Sequence, residues 1–291
     1  MIVEVLGMDR PVKMPLEMGK VSLKVNDLER MLDYYENEFG LDVLAKDRQT
    51  ATLGILTDGK ALLELTELDK PSQKSKAAGL FHMAFLVSER KDLADILLRF
   101  DAQGTRITNE YDHGLTEVIY LYDPELNGIE IYRDKQSEEL DGMTELADGE
   151  ATIPMDSKGI RALGDKDDIP TKFPKGTLMG HVHLAVSDLE GTYDFYHNLL
   201  GLVLMSKVEG KAVFFSDGAY HHQLAGNIWT SKKAPKPEVS DRGLNYFEML
   251  FDDIDVIVEK LDQLNYSYTQ LESGGLELED PNGITLHILK R

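Results

Sequence analysis

A chain of 291 residues is long enough for one large domain or two ordinary ones, and 52 Asp and Glu against 31 Lys and Arg give it a formal charge of −21. That charge argues against nucleic acid or an anionic membrane surface as partner, and no stretch approaches the roughly 20 apolar residues of a membrane span or begins as a signal segment, so a cytoplasmic protein is expected. With no cysteine, disulfides, iron–sulfur clusters and thiolate zinc sites are excluded, and any metal must be held by the carboxylates and the eight histidines.

Taken in chain order, the sequence repeats itself. Residues 18–29 read MGKVSLKVNDLE, a strand running into an Asp-Leu-Glu helix start, and 179–190 repeat the pattern as MGHVHLAVSDLE. Tyr35, Asn37, Gly40, Leu41 and Lys46 recur in step as Tyr196, Asn198, Gly201, Leu202 and Lys207. A second pair of segments, GLFHMAFLV at 79–87 and GLNYFEMLF at 243–251, each opens a strand that feeds a helix, expected over 92–100 and 255–264. Each is followed by an Asp-Pro turn, Asp123-Pro124 or Asp280-Pro281, and by an alternating strand around 129–132 or 285–288. The chain therefore divides into four modules of one plan: two within 1–133 (about 17–68 and 79–133) and two within 177–291 (about 177–230 and 243–291). Residues 134–176, with Glu138-Glu139, Asp141, Asp148, Glu150 and Asp167-Asp168, read as an acidic linker with a short helix at 160–163.

The strand His-Val-x-Leu-x-Val-x-Asp-Leu-Glu, the Phe-Tyr helix and the closing Asp-Pro-x-x-Asn-Gly-Ile-Glu strand resemble the vicinal oxygen chelate superfamily, which includes glyoxalase I, bleomycin-resistance proteins and extradiol ring-cleaving dioxygenases. The resemblance covers nearly all of the chain outside the linker. It implies an α+β fold in which four βαβββ modules pair into half-open mixed β-barrels, with metal ligands drawn from two slots per module. Those slots hold Lys20 and Glu64, His82 and Glu130, His181 and Gln223, and Tyr246 and His287. Modules two and three are thus the ligand-rich ones, and the Tyr246–His287 pair reads as a decayed site.

Module two also carries the extradiol pattern: His113, then Ile119-Tyr120, Asp123-Pro124 and Glu130. It departs at Leu126, where Gly is expected, and at Tyr111. The run HHQLAGNIW at 221–229 looks like the Bacillus-type catechol 2,3-dioxygenase subgroup, with Gln223 where a third His commonly stands. The resemblance then implies Fe(II) or Mn(II) held by His82, Glu130 and His181, O2 as co-substrate and a small aromatic diol as substrate. Two His and one carboxylate leave positions open for both. His221 is expected to handle protons, with His113 and Tyr120 hydrogen-bonding around the centre and Gln223, His183 and Asn227 lining the pocket. If 221–223 alternate as a strand, His221 and Gln223 share a face and His222 points away. His197 reads as a surface residue and the Tyr34-Tyr35 and Phe195-Tyr196 pairs as core.

Pairing modules one with two and three with four splits the triad, whereas pairing two with three and one with four reunites it. A glyoxalase-type metal-dependent lyase or isomerase, and a metal-free binding protein of the bleomycin-resistance kind, stay open as alternatives, as does a homo-oligomer. Glyoxalase chemistry calls for two carboxylates, of which the slots of modules two and three offer only Glu130.

Overall fold

The structure is a computed structural model that describes residues 16–140 and 152–291, so Asp141, Asp148 and Glu150 of the expected linker lie outside the described residues. The four modules run in order. Module one is β1 (Leu16–Val25), α1 (Leu28–Asp33), β2 (Asp42–Lys46), β3 (Thr50–Ile55) and β4 (Lys60–Glu67). Module two is β5 (Gly79–Val87), α2 (Arg90–Gln103), β6 (Ile107–Asp112), β7 (Thr116–Tyr122) and β8 (Gly128–Asp134). After α3 (Ser137–Leu140), β9 (Ile153–Pro154) and α4 (Ser157–Arg161), module three is β10 (Leu178–Ala185), α5 (Leu189–Tyr193), β11 (Val203–Val208), β12 (Ala212–Ser216) and β13 (Leu224–Asn227). Module four is β14 (Gly243–Phe251), α6 (Asp255–Gln263), β15 (Thr269–Gln270), β16 (Leu276–Glu279) and β17 (Thr285–Lys290). The fold is mixed α+β, with the strands of the described residues in open mixed sheets rather than closed barrels.

The repeated Asp-Leu-Glu works as a helix start because its Asp caps the first turn. Asp27 accepts the Arg30 N–H at 3.0 Å and Asp188 accepts the Gly191 N–H at 2.7 Å. Both helices then widen into a π-helical turn, Tyr34–Phe39 and Asp194–Leu199, at the same place in the repeat. Each turn buries a tyrosine, Tyr35 or Tyr196, whose hydroxyl donates to the aspartate of an Asp-Pro turn: Asp123 at 2.8 Å and Asp280 at 3.2 Å. The Tyr-Tyr and Phe-Tyr pairs are core residues, but the Tyr35 and Tyr196 hydroxyls also bind module one to module two and module three to module four.

The chain divides into two compact units that differ from the contiguous halves 1–133 and 177–291. Among the described residues the first holds 16–24, 72–81 and 180–291, the second 25–71, 82–140 and 152–179. In the first unit β15, β16, β17, β14 and β1 are neighbours in that order, with β1 antiparallel to β14 and β14 parallel to β17. The β1–β14 ladder joins modules one and four, one of the two pairings left open by the sequence. The same unit carries β11, β12, β13 and β10, the last two parallel. In the second unit β2, β3 and β4 form a meander, and β8 lies parallel to β5 and antiparallel to β7, with β6 and β9 beyond.

The core of the second unit gathers Phe39, Phe85, Phe100 and Phe173, with Phe39 5.1 Å from Phe85 and 4.8 Å from Phe173 between ring centroids. Phe173 comes from the expected linker, which therefore contributes to the core. Its β9 pairs with β6, and Arg161 reaches Asp101 at 2.7 Å and Glu110 at 3.0 Å. The helix there spans Ser157–Arg161 rather than 160–163, because Asp156 caps it by accepting the Gly159 N–H.

Candidate metal and substrate site

Module two presents its chemistry from three neighbouring strands. Glu130 on β8 is in register with Ala84 of β5 on one side and Tyr120 of β7 on the other. His82 lies two residues before Ala84, so the period-two alternation puts all of these side chains on one face. Both His82 and Glu130 are buried, and Nε2 of His82 stands 3.2 Å from Oε2 of Glu130. A carboxylate so buried needs positive charge near it, from a protonated imidazole or a cation. The Tyr120 ring lies 5.7 Å from the His82 ring between centroids, and its hydroxyl is 3.2 Å from Nε2 of His113. His113 sits in the β6–β7 turn, where its N–H donates to the Thr116 carbonyl and its Nδ1 is 3.3 Å from Oγ1 of Thr152. The spacing His113–Tyr120–Glu130 is therefore a chain of neighbours leading to His82.

In the first unit, His181 is buried on β10 with the His222 ring 4.4 Å away and the His221 ring at 6.5 Å. The alternation expected for 221–223 does not hold, because these residues bend between β12 and β13 and are no strand. His222 thus turns toward His181, and its Nδ1 is 2.9 Å from Nδ1 of His221. Two ring nitrogens at that distance require one of them to carry a proton. His222 was missed by sequence reasoning; only the neighbouring His-His pair signalled it.

The other expected pocket residues have definite partners. The Gln223 amide accepts from the Asp217 N–H at 3.2 Å and donates to the Leu16 carbonyl at 3.3 Å, so it fastens backbone to backbone. His183 is buried beside Phe81, Trp229 and Phe214, at 5.1, 5.5 and 5.8 Å between centroids, and Asn227 reaches its Nε2 at 3.0 Å. His197 is half-buried rather than a surface residue, its Nδ1 bound to the Leu202 carbonyl and its ring 4.7 Å from Tyr193. His287 stacks on Tyr246 at 3.8 Å and pairs with Glu277 at 3.1 Å, while Lys20 stands 5.7 Å over the other ring and 3.8 Å from Glu248. These slots of modules one and four hold an ion-paired stack. His82, Glu130 and His181, all buried, are the donor set that could hold a metal ion among the described residues.

A model of the glyoxalase/bleomycin resistance protein/dioxygenase superfamily matches residues 17–131 and 178–288, and the chain belongs to that superfamily. Within it, the chain is similar to the catechol-2,3-dioxygenase of Bacillus subtilis (strain 168), with 32% identity over 272 residues, 91% of this chain and 93% of that protein. Among solved structures, glyoxalase I from Zea mays superposes with a TM-score of 0.58 at 16% identity, covering 95% of this chain and 93% of its own. The cppA protein from Streptococcus pneumoniae TIGR4 gives a TM-score of 0.53 at 16% identity, covering 94% and 99%. At these identities the structural likeness establishes the fold. Among the described residues no helix is long and apolar enough to cross a membrane.

Proposed function

We propose that the chain is an extradiol dioxygenase that opens a catechol-like ring with O2, using a divalent iron held by His82, Glu130 and His181, with modules two and three sharing one centre. The observation that carries this reading is the alignment of His82, Glu130, Tyr120 and His113 on three neighbouring strands and their turn, in a chain similar along most of its length to a catechol-2,3-dioxygenase. The donor set fits the cation. Two imidazoles and one carboxylate suit Fe(II) or Mn(II), leave coordination positions open, and agree with a sequence devoid of thiols. When bound, such an ion would bring diol and O2 together and activate both.

The protein's own groups then hold the substrate and its protons. Tyr120 and His113 hydrogen-bond to each other at the edge of the His82–Glu130 pair and orient the diol oxygens. His221 and His222 share a proton between their Nδ1 atoms, so the pair can take a proton from the diol and return it later, with His222 the nearer to His181. Gln223 shapes this wall through its backbone bonds. His183 and Asn227 line the pocket. The reading carries with it a cytoplasmic enzyme of aromatic-compound catabolism, with no nucleic acid or membrane as partner.

The test is direct. Protein purified anaerobically, loaded with Fe(II) and mixed with catechol in air should give a yellow ring-fission product. No product from any catechol or hydroquinone, with iron demonstrably bound, would sink the assignment. His181→Ala should abolish iron binding as fully as His82→Ala does; iron retained without His181 would show that a different third ligand is used.

A further inference from the structure

His181 and His183 lie two residues apart on β10, so both imidazoles project from the same face of the strand. Chemistry alone does not say which of them serves as a ligand. The surroundings of His183 do. Asn227, fully buried at the end of β13, accepts the Trp229 backbone N–H through Oδ1 at 3.1 Å. A backbone N–H can only donate, so this bond fixes which end of the amide is oxygen. The Asn227 NH2 then faces Nε2 of His183 at 3.0 Å, and since an amide NH2 can only donate, Nε2 must be the acceptor. The backbone of Asn227 is fastened as well: its carbonyl accepts from the Val186 N–H at 2.8 Å and from the Ser231 hydroxyl at 3.2 Å. Phe81, Phe214 and Trp229 hold the ring between them.

We infer that Asn227 is a positioning residue that fixes His183 with its proton on Nδ1 and its Nε2 lone pair occupied, withholding His183 from the metal. The inference rests on the proposed metal centre and deepens it, because it says why one of two adjacent histidines is the ligand.

The tautomer is readable without metal or activity. In metal-free 15N-labelled protein, long-range proton–nitrogen spectra, with His183 assigned by its loss in His183→Ala, should find the proton on Nδ1. A proton on Nε2 would overturn the inference. Asn227→Asp replaces the donor with an acceptor and should move the proton to Nε2; an unchanged tautomer there also counts against it. The wild-type spectrum decides the point even if the variant does not fold. Anaerobic Fe(II) titration provides the second arm, in which His183→Ala should bind iron as the wild type does. Iron binding lost in His183→Ala while wild type binds it would overturn the inference and leave the metal reading standing. If the wild type takes up no iron, the metal reading fails and the spectrum still decides the tautomer.

Discussion

Leu126 occupies a backbone conformation that leucine rarely adopts. Its φ is +66° in the turn closed by its N–H to the Asp123 carbonyl, and Gly283 fills the matching place in module four at φ +82°. A left-handed conformation costs a residue with a Cβ roughly 1–2 kcal/mol, partly offset by the greater unfolded freedom of glycine. Leu126→Gly is therefore expected to stabilise the protein by about 1 kcal/mol in urea unfolding. The same turns hold the buried carboxylates. Burial raises the pKa of Asp123, against the lowering effect of hydrogen bonds from Asn127 and Tyr35. Because its folded pKa is raised, ionised Asp123 costs stability as pH climbs through that value, and each donor reduces the cost. Tyr35→Phe removes one donor, so it should lower stability by about 2 kcal/mol at neutral pH. The loss should be smaller in acid, where the carboxyl is protonated; equal loss at both pH values would count against this account.

At the scale of elements, α3 is held by charge. Arg133 on β8 is buried and bonds Glu117 of β7 at 2.6 Å and Glu139 of α3 at 2.6 Å, while Arg90 at the start of α2 meets Glu117 at 2.7 Å. The hydrogen bonds from Arg133 depress the Glu139 carboxyl to about 2. A depressed carboxylate stabilises the fold above its ordinary pKa, and that stabilisation fades as pH falls toward about 2. Glu139→Gln should thus be less stable than wild type at neutral pH, modestly because the group is partly exposed, with the difference closing in acid unfolding series. None of this network was legible from composition, which marked the linker as acidic and left its partners unseen, since Glu117 and Arg90 lie far from α3 in sequence. What was legible followed short-range rules: alternation after the Asp-Pro turns marked the strands around 129–132 and 285–288, and the Asp-Leu-Glu repeats at Asp27 and Asp188 announced their helices. The alternation rule failed at 221–223 because it was applied to a bend. The Asn227 lock escaped notice because it depends on a backbone N–H, which no residue letter encodes.

Over the whole molecule, the two kinds of linkage between modules run along different pairs. Tyrosine–aspartate bonds tie one to two and three to four, whereas the β1–β14 ladder ties one to four. Metal should add to these ties. An ion bound by buried donors in the native state alone stabilises by about 2.7 kcal/mol at 100 times its dissociation constant. Fe(II) is accordingly expected to raise the melting temperature and a chelator to reverse the rise, with His82→Ala insensitive to both. The β1–β14 ladder has a further consequence for how the chain is made. Leu16 pairs with Phe251 and Lys24 with Gly243, so one edge of β1 has no partner until β14, more than 200 residues later in the chain, has been synthesised. Closing so large a loop is slow, and a strand edge bare for that interval is open to pairing with other nascent chains. Yield of this protein should therefore depend on translation speed and chaperone supply more steeply than its finished stability suggests.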